Sequence, residues 1–310
     1  MEHETAGDPV SGCKWTRKTT LKIAQQLKRA GIRVSPNTVG KLLKNMNFSL
    51  RVNLKTLESG LRKPPNPRDR DLQFRYIRRQ IGDYTAQGMP VISVDTKSRE
   101  LIGLFHHPGR QWAQVPFKVL DHDFPSDSKG VAIPYGIYDL SRNEGFVCVG
   151  TTRDTSEFAV DSIRTWWSKA GSTHYPNADR LLILADCGGS NGYRTRLWKH
   201  KLRVGFCNRF GLQVKVCHYP PGSSKWNPIE HRMFSFISSN WAAQPLCDYE
   251  TVLKFIRTAK TSAGLRIRAI LNTKHYQKGK KISDQQMEQI VLKRYTLRPN
   301  WNYSISPSRM

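Results

Sequence analysis

Three carboxylates in the chain occupy positions where a folded domain could bring them together. Asp95 and Asp186 each end an apolar run typical of a buried strand, and Glu230 lies in the first turn of a predicted helix. Ligand sites in open α/β sheets lie at the C-terminal edge of the strands. Carboxylates that converge there repel one another, and two Mg²⁺ or Mn²⁺ ions would neutralise them. The joint pattern predicts metal-dependent displacement at a phosphodiester, whereas each carboxylate alone is more often a cap or a surface charge.

The elements expected to position these residues are strands, then alternating strands and helices, from residue 90 onward. The five consecutive apolar residues at 181–185 indicate a strand covered on both faces. The other predicted strands cover 90–95, 101–105, 131–139, 145–150 and 212–217, and the predicted helices cover 155–170, 192–210 and 229–240. The predicted buried face of the last helix, which has Glu230 at its margin, consists of Ile229, Met233, Phe236 and Ile237. This order indicates a mixed α/β domain.

An earlier segment, residues 19–48, has the pattern of two short helices around a turn. Ser35 is a good N-cap, and Pro36 suits the first helical position. The pair is typical of a helix-turn-helix, and an ordinary helical hairpin is the alternative. The outward positions of its second helix carry side chains suited to phosphates and base edges, and we expect these to bind DNA: Asn37, Thr38, Lys41, Lys44 and Asn45.

The amino-acid composition and net charge indicate the chemical class of partner that the chain binds. The chain of 310 residues carries 50 Lys and Arg against 24 Asp and Glu, a formal net charge of +26. Such a charge favours a polyanion, of which nucleic acid is the commonest. Hydrophobic residues make up 38% of the chain, which excludes a wholly disordered basic tail. No stretch approaches the ~18 apolar residues of a membrane span, and the six cysteines form no C-x-x-C pair, which disfavours structural zinc.

Longer motifs carry a resemblance to a known family. They are VISVDTKSRELIG (91–103), PYGIYDL (134–140), LLILADCGGSNGYR (181–194), VCHYPPGSSKWNPIEHRMFSFISSNW (216–241) and WNYSISP (301–307). These segments resemble the DDE transposases of bacterial insertion sequences, and the Rhodopirellula-type family most of all. The pattern P-P-G-x-S-x-x-N-P-I-E is also similar to P-x-S-P-x-x-N-P-I-E of mariner-like transposases. The resemblance covers most of the chain from about residue 15 to 307.

The resemblance implies an RNase H-like mixed sheet flanked by helices, with the strands that end in Asp95 and Asp186 side by side. It implies that Asp95, Asp186 and Glu230 are the catalytic and metal-binding triad, holding two Mg²⁺ or Mn²⁺ ions. The implied activity is DNA strand cleavage and strand transfer at insertion-sequence ends. The implied partners are double-stranded DNA, as terminal repeats and target, and further copies of the chain in a dimer or larger assembly. We expect a cytoplasmic, nucleoid-associated protein.

The predicted organisation has four parts. Residues 1–66 form an all-α helix-turn-helix region with a basic linker, 67–89 a connecting helix, 90–245 the DDE catalytic core and 246–310 a C-terminal helical extension. Three features depart from the family pattern. Cys187 stands where Gly is usual, directly after the second Asp, Asn227-Pro228 replaces Asn-Lys, and relatives carry more helical sequence before residue 7. The last departure makes a truncated, non-catalytic DNA-binding remnant the alternative to an active transposase, and an RNase H-like nuclease without strand transfer is a second alternative.

Overall fold

A computed structural model of the chain describes residues 6–7, 14–15, 18–50 and 67–308. The chain divides into two compact units, Met1–Leu57 and Glu58–Met310. In the first unit, β1 (Ala6–Gly7) pairs antiparallel with β2 (Lys14–Trp15). Two helices follow, α1 (Thr20–Arg29) and α2 (Pro36–Asn45). The basic linker predicted within 1–66 falls on 51–66, outside the described residues.

The two helices begin where the sequence predicts. Ser35 Oγ accepts the Thr38 backbone N–H at 3.1 Å, and Pro36 takes the first helical position. The helices pack through a small core of Ile23, Ala24 and Val39. The hydrogen bond from Thr38 to the Ser35 cap satisfies a backbone N–H that the helix itself cannot pair.

The second unit is built on one nine-stranded sheet, within the part of the chain that is described. Its strand order is β10-β11-β8-β7-β3-β5-β6-β9, and β4 pairs separately with β5. The strands are β3 (Val91–Thr96), β4 (Glu100–Ile102), β5 (Gly130–Asp139), β6 (Glu144–Gly150), β7 (Arg180–Ala185), β8 (Gln213–His218), β9 (Arg266–Asn272), β10 (Leu292–Arg294) and β11 (Asn302–Ile305).

Helices cover both faces of this sheet. They are α3 (Pro67–Ala86), α4 (Ser156–Trp166), α5 (Ser172–His174), α6 (Arg196–Lys201), α7 (Asn208–Phe210), α8 (Ser235–Asn240), α9 (Tyr249–Thr258) and α10 (Asp284–Glu288). π-Helical turns join α4 to α5 (Trp167–Gly171) and α6 to α7 (Leu202–Cys207), and a third precedes α8 (Glu230–Phe234). None of these helices, in the residues described, is long and apolar enough to cross a bilayer.

The central strand of the sheet is β3, and its two sides differ. On one side β5 and then β6 continue antiparallel, whereas on the other side β7 and then β8 run parallel. The residues of β7 alternate between two hydrophobic cores: Leu181 and Ile183 face the core under α4 and α6, and Leu182 and Leu184 face the core under α3. The expected mixed sheet flanked by helices, with helices before it in the chain, is confirmed.

The prediction that 246–310 is a helical extension is wrong in one respect. The segment does contain α9 and α10, but it also supplies β9 to one edge of the sheet and β10 and β11 toward the other. Along β9, exposed Arg266 and Arg268 alternate with buried Ile267 and Ala269. This period of two is the pattern of a strand with one covered face, so the residues at this end complete the core. The predicted domain boundaries stay predictions.

Candidate active site

The register of the central strands places the first two carboxylates together. β3 and β7 run parallel, and Val94 is the partner of Ala185. Asp95 and Asp186 are the next residues on each strand, so both lie at the C-terminal edge of the sheet. Each is half-buried there. The placement that the resemblance implies, side by side at one edge, is the one observed.

Glu230 reaches the same edge because two glycines leave room on the sheet for the turn that carries it. Gly136 on β5 is the register partner of Asp95. A Cβ at Gly136 would lie 2.5 Å from the Phe234 ring, and one at Gly145 on β6 would collide with Met233. The two glycines let the turn that begins with Glu230 pack directly on the strands. The Glu230 carboxyl group lies close enough to Asp95 for its charge to raise the pKa of Asp95.

The turn Glu230–Phe234 is π-helical. This conformation determines whether Phe234 or Phe236 is buried. Ile229, Met233 and Ile237 are fully buried, as predicted, but Phe236 is 37% exposed and Phe234 is 2% exposed. The prediction for Phe236 is therefore wrong. A π turn inserts an extra residue into the helical repeat, so the residues beyond it shift around the helix axis. Phe234 then takes the position over Gly136.

The site concentrates negative charge in a half-buried place. Burial, together with the charges of Asp186, Glu230 and Asp154, raises the pKa of Asp95 to about 8. Burial also raises the pKa of Asp186 to about 6, against the lowering effect of a hydrogen bond from Asn227. The pKa of Glu230 is raised by burial, while the Lys97 charge lowers it. The carboxylates thus lie together at an energetic cost that a bound cation would remove.

The donor set fits a hard divalent cation. Mg²⁺ is usually held by one or two carboxylates and keeps several waters, and Asp95 and Asp186 supply such a pair, with Glu230 beside Asp95. Among the described residues, no three His, Cys, Asp or Glu side chains already stand in the arrangement of a complete ligand set.

A buried amide fixes the position of Asp186. The Asn227 side chain is fully buried, and its Nδ2 donates to Asp186 Oδ1 at 3.2 Å and to the Val94 carbonyl at 3.4 Å. Its Oδ1 accepts a short hydrogen bond from Ser93 Oγ, which in turn accepts the Ile229 N–H at 3.2 Å. This network ties the helix that bears Glu230 to the strand that bears Asp95.

Sequence reasoning missed Ser93 and Asn227 as parts of the site. The signal for Ser93 is its place two residues before Asp95, because alternate residues of a strand share a face. Asn227 was interpreted only as the start of a helix. Its position three residues before Glu230 gives no indication of the long-range contact with β3, which only the fold brings about.

Behind Asp186 lies a second polar chain. His218 Nδ1 donates to the Asp186 carbonyl at 2.8 Å, so its Nε2 accepts from the Tyr303 hydroxyl at 3.1 Å. Complete burial lowers the pKa of His218 to about 4, which keeps the ring neutral. Cys187 Sγ donates to the Tyr219 carbonyl at 3.0 Å, and burial raises the pKa of its thiol. Cys187 is therefore held as a neutral thiol against the backbone.

A fourth carboxylate, Asp154, also lies near Asp95 and was missed. Thr96 Oγ1 donates to Asp154 Oδ1 at 3.3 Å, and the Ser190 hydroxyl lies 3.5 Å from Thr96 Oγ1. Burial raises the pKa of Asp154, while the charges of Arg99 and Lys278 lower it. Because Asp154 directly precedes the N-cap of α4, the sequence pattern alone indicates a helix start at this place.

The predicted DNA-binding residues all lie exposed on α2. They are Asn37, Thr38, Lys41, Lys44 and Asn45. Val39 between them points into the core of this unit. Their common face is open to a ligand, and their role in DNA binding stays a prediction.

Comparison with known proteins identifies the family. A family model described as the Rhodopirellula transposase DDE domain matches residues 1–307. No curated protein matches the chain. Similar solved structures include the Mos1 transposase paired-end complex with left transposon end, at 15% identity and a TM-score of 0.45, covering 77% of this chain and 65% of that chain. The catalytic domain of Mos1 mariner transposase has 12% identity and a TM-score of 0.40, covering 63% of this chain and 81% of that chain. The chain thus spans less than two thirds of the length of the transposase in the paired-end complex.

Proposed function

We propose, from the premise that this chain belongs to the Rhodopirellula-type DDE transposase family, that it cleaves DNA at the ends of an insertion sequence and joins those ends to target DNA. The observation that carries the proposal is that Asp95 and Asp186 lie side by side at the ends of adjacent parallel strands, with the Glu230 carboxylate close enough to raise the pKa of both. Three carboxylates together at the edge of a sheet, in a chain of net charge +26, suit metal-dependent chemistry on a nucleic acid.

Asp95, Asp186 and Glu230 would hold two Mg²⁺ or Mn²⁺ ions. When bound, such ions supply charge stabilisation for the attacking and leaving oxygens of a phosphodiester displacement. The chain's own residues set the geometry. Asn227 holds the Asp186 carboxylate in place through its 3.2 Å hydrogen bond. Burial of the three carboxylates excludes bulk water from part of the site, which strengthens their interaction with a cation.

The remaining parts of the proposal concern DNA and assembly. The exposed face of α2 would recognise the terminal repeats, and the positive charge of the chain would hold the phosphate backbone. Joining two ends to one target requires two active sites held together, so we propose a homo-oligomer, a dimer or larger, on DNA. Such a protein would act in the cytoplasm, at the nucleoid.

The test replaces the carboxylate of Glu230 by an amide of the same shape, Glu230→Gln. The matched control is Glu250→Gln, because Glu250 also lies in the first turn of a helix but is paired with Arg257 away from the site. We expect Glu230→Gln to abolish Mg²⁺-dependent cleavage of duplex DNA that carries the terminal repeats, with DNA binding retained. Glu250→Gln should cleave like the unmodified chain.

Thermal unfolding with and without Mg²⁺ gives a second measurement. A ligand that binds only the folded state raises the melting temperature, so Mg²⁺ should stabilise the unmodified chain and Glu250→Gln. The rise should be reduced in Glu230→Gln. Cleavage by Glu230→Gln at the normal rate would remove Glu230 from the site. DNA binding without cleavage or Mg²⁺ stabilisation in the unmodified chain would instead favour a non-catalytic DNA-binding remnant.

A further inference from the structure

A basic cleft of about 560 Å³ opens beside the loop that follows Asp186. Its walls come from that loop, from α6, and from β10 with the turn that leads to β11. Its cationic lining residues are Arg194, Arg196, Lys199 and Arg294, and its lining includes no acidic side chain. A concave surface with four cations attracts anions strongly.

Lys199 is the buried member of the lining, with 6% of its surface exposed. Its ammonium donates to the Tyr193 carbonyl and lies 5.4 Å from the centre of the Tyr303 ring. Burial, together with the charges of Arg294 and Arg196, lowers its pKa to about 8. A buried ammonium without a carboxylate is costly unless an anion compensates it.

The arginines leave most of the positive charge in the cleft unbalanced. Arg196 forms an ion pair with Asp284 at 2.5 Å. Arg194 donates to the Tyr193 hydroxyl at 2.9 Å, and Arg294 donates to Asn300 Oδ1 at 2.9 Å. Within residues 18–50 and 67–308, no carboxylate forms an ion pair with Arg194, Lys199 or Arg294. The two guanidinium groups and the Lys199 ammonium are held by neutral partners, which leaves N–H donors for a ligand.

The cleft is connected to the candidate active site by a short series of contacts. The Tyr303 ring that faces Lys199 donates through its hydroxyl to His218, and His218 donates to the Asp186 carbonyl. The Tyr193 ring lies 6.1 Å from the His218 ring, centre to centre. A ligand in the cleft would therefore lie on the far side of the residues that support Asp186.

We propose that this cleft binds a phosphate group of a DNA strand that passes the active site, an inference that rests on the proposed function for the identity of the polyanion. The chemistry fits phosphate, because guanidinium groups form paired hydrogen bonds with its oxygens and an ammonium adds a point charge. The half-buried side chains of Tyr193 and Met287 provide an apolar surface for the attached sugar. The phosphate is either a 5′-terminal group or an internal phosphodiester.

The experiment measures binding of the full chain to single-stranded DNA of roughly a dozen nucleotides, within the usual site size. The two probes have the same sequence and carry either a 5′-phosphate or a 5′-hydroxyl. Fluorescence anisotropy is recorded at fixed salt with EDTA, so that neither metal nor cleavage enters the result. Arg194→Gln and Arg294→Gln remove single charges from the cleft. The matched control is Arg268→Gln, since Arg268 is an exposed strand arginine on β9 that donates to a carbonyl at 3.4 Å, as Arg294 does.

For a terminal phosphate, we expect the 5′-phosphate probe to bind the unmodified chain about tenfold more tightly, the factor that ~1.4 kcal/mol provides. Arg194→Gln and Arg294→Gln should each remove most of that preference, and Arg268→Gln should keep it. For an internal phosphodiester, both probes should bind equally. Both probes should then bind several-fold more weakly to Arg194→Gln and Arg294→Gln but not to Arg268→Gln. Inorganic phosphate should compete with both probes. Lys199→Met tests the buried charge in the same way, while the two arginine variants keep the test valid if that variant does not fold.

The proposal is overturned if the cleft variants bind both probes like the unmodified chain, or weaken no more than Arg268→Gln. This outcome is distinct from failure of the proposed function. The anisotropy assay contains no metal, so loss of the Glu230 result would leave the phosphate site standing. Conversely, metal-dependent cleavage with unchanged binding in the cleft variants would remove only the phosphate site.

Discussion

Ser93 and Asn227 share a buried hydrogen bond, and replacing either residue by Ala should destabilise the chain. The effects of the two substitutions on the free energy of unfolding should not be additive. Both side chains are fully buried. Asn227→Ala leaves the Ser93 hydroxyl without its acceptor and opens a small cavity, for an expected cost of about 2–4 kcal/mol. Ser93→Ala leaves the Asn227 carbonyl oxygen and the Ile229 N–H unpaired, for an expected cost of about 1–3 kcal/mol.

The double variant, Ser93→Ala with Asn227→Ala, should cost less than the sum of the two. The penalty for the unpaired partner occurs in both single variants but disappears when both groups are absent. We therefore expect a coupling free energy of about 1–2 kcal/mol. The assay is urea unfolding with EDTA, in which the free energy of unfolding is extrapolated to water.

A matched pair controls for additivity. Ser162 is also a buried serine, but it donates to the Phe158 carbonyl within α4 on the opposite face of the sheet. Ser162→Ala combined with Asn227→Ala should be additive within about 0.3–0.5 kcal/mol. A coupling of the same small size for Ser93 and Asn227 would refute the argument that this hydrogen bond ties the Glu230 helix to β3.

Two further measurements test the helix ends and the DNA-binding face. Thr155 Oγ1 accepts the Phe158 N–H at 3.2 Å at the start of α4, so Thr155→Ala should lower the free energy of unfolding by about 1 kcal/mol in urea. Lys41→Ala and Lys44→Ala in the full chain should weaken binding to terminal-repeat DNA and lower the salt slope by about 1 for each lost phosphate contact. An unchanged salt slope of DNA binding would mean that neither lysine contacts a phosphate.

The strands that carry Asp95 and Asp186 could be predicted because their signal is local. An apolar run that ends in a carboxylate identifies both the strand and the edge at which its last residue lies. That these two strands lie side by side came from the family resemblance, because pairing between strands about 90 residues apart leaves no local signal. The structure adds that they run parallel, with Val94 opposite Ala185. The resemblance to long motifs thus provided what periodicity cannot.

The parts that escaped prediction depend on contacts between distant segments. Asn227 bonds to Ser93 across 134 positions, and the basic cleft combines Lys199 with Arg294. β9 has seven residues, and its alternation of Arg266 and Arg268 with Ile267 and Ala269 is a strand signal that the sequence carries. The other two strands of the C-terminal segment were missed because they are short: β10 has three residues and β11 has four. Elements of this length carry too little periodicity to be separated from loops.

The helical phase around Glu230 can be tested with two phenylalanines. A regular α-helix through Ile229, Met233 and Ile237 buries Phe236 and exposes Phe234, because residues i, i+4, i+7 and i+8 share a face. The π turn reverses this, with Phe234 2% exposed over Gly136 and Phe236 37% exposed. Phe234→Ala should therefore cost about 3–5 kcal/mol of unfolding free energy, and Phe236→Ala should cost well under half of that. Urea unfolding of the two variants measures the difference, in which each residue controls for the other. Equal or reversed costs would mean a regular α-helix beyond Glu230, and would overturn the packing of Phe234 over Gly136.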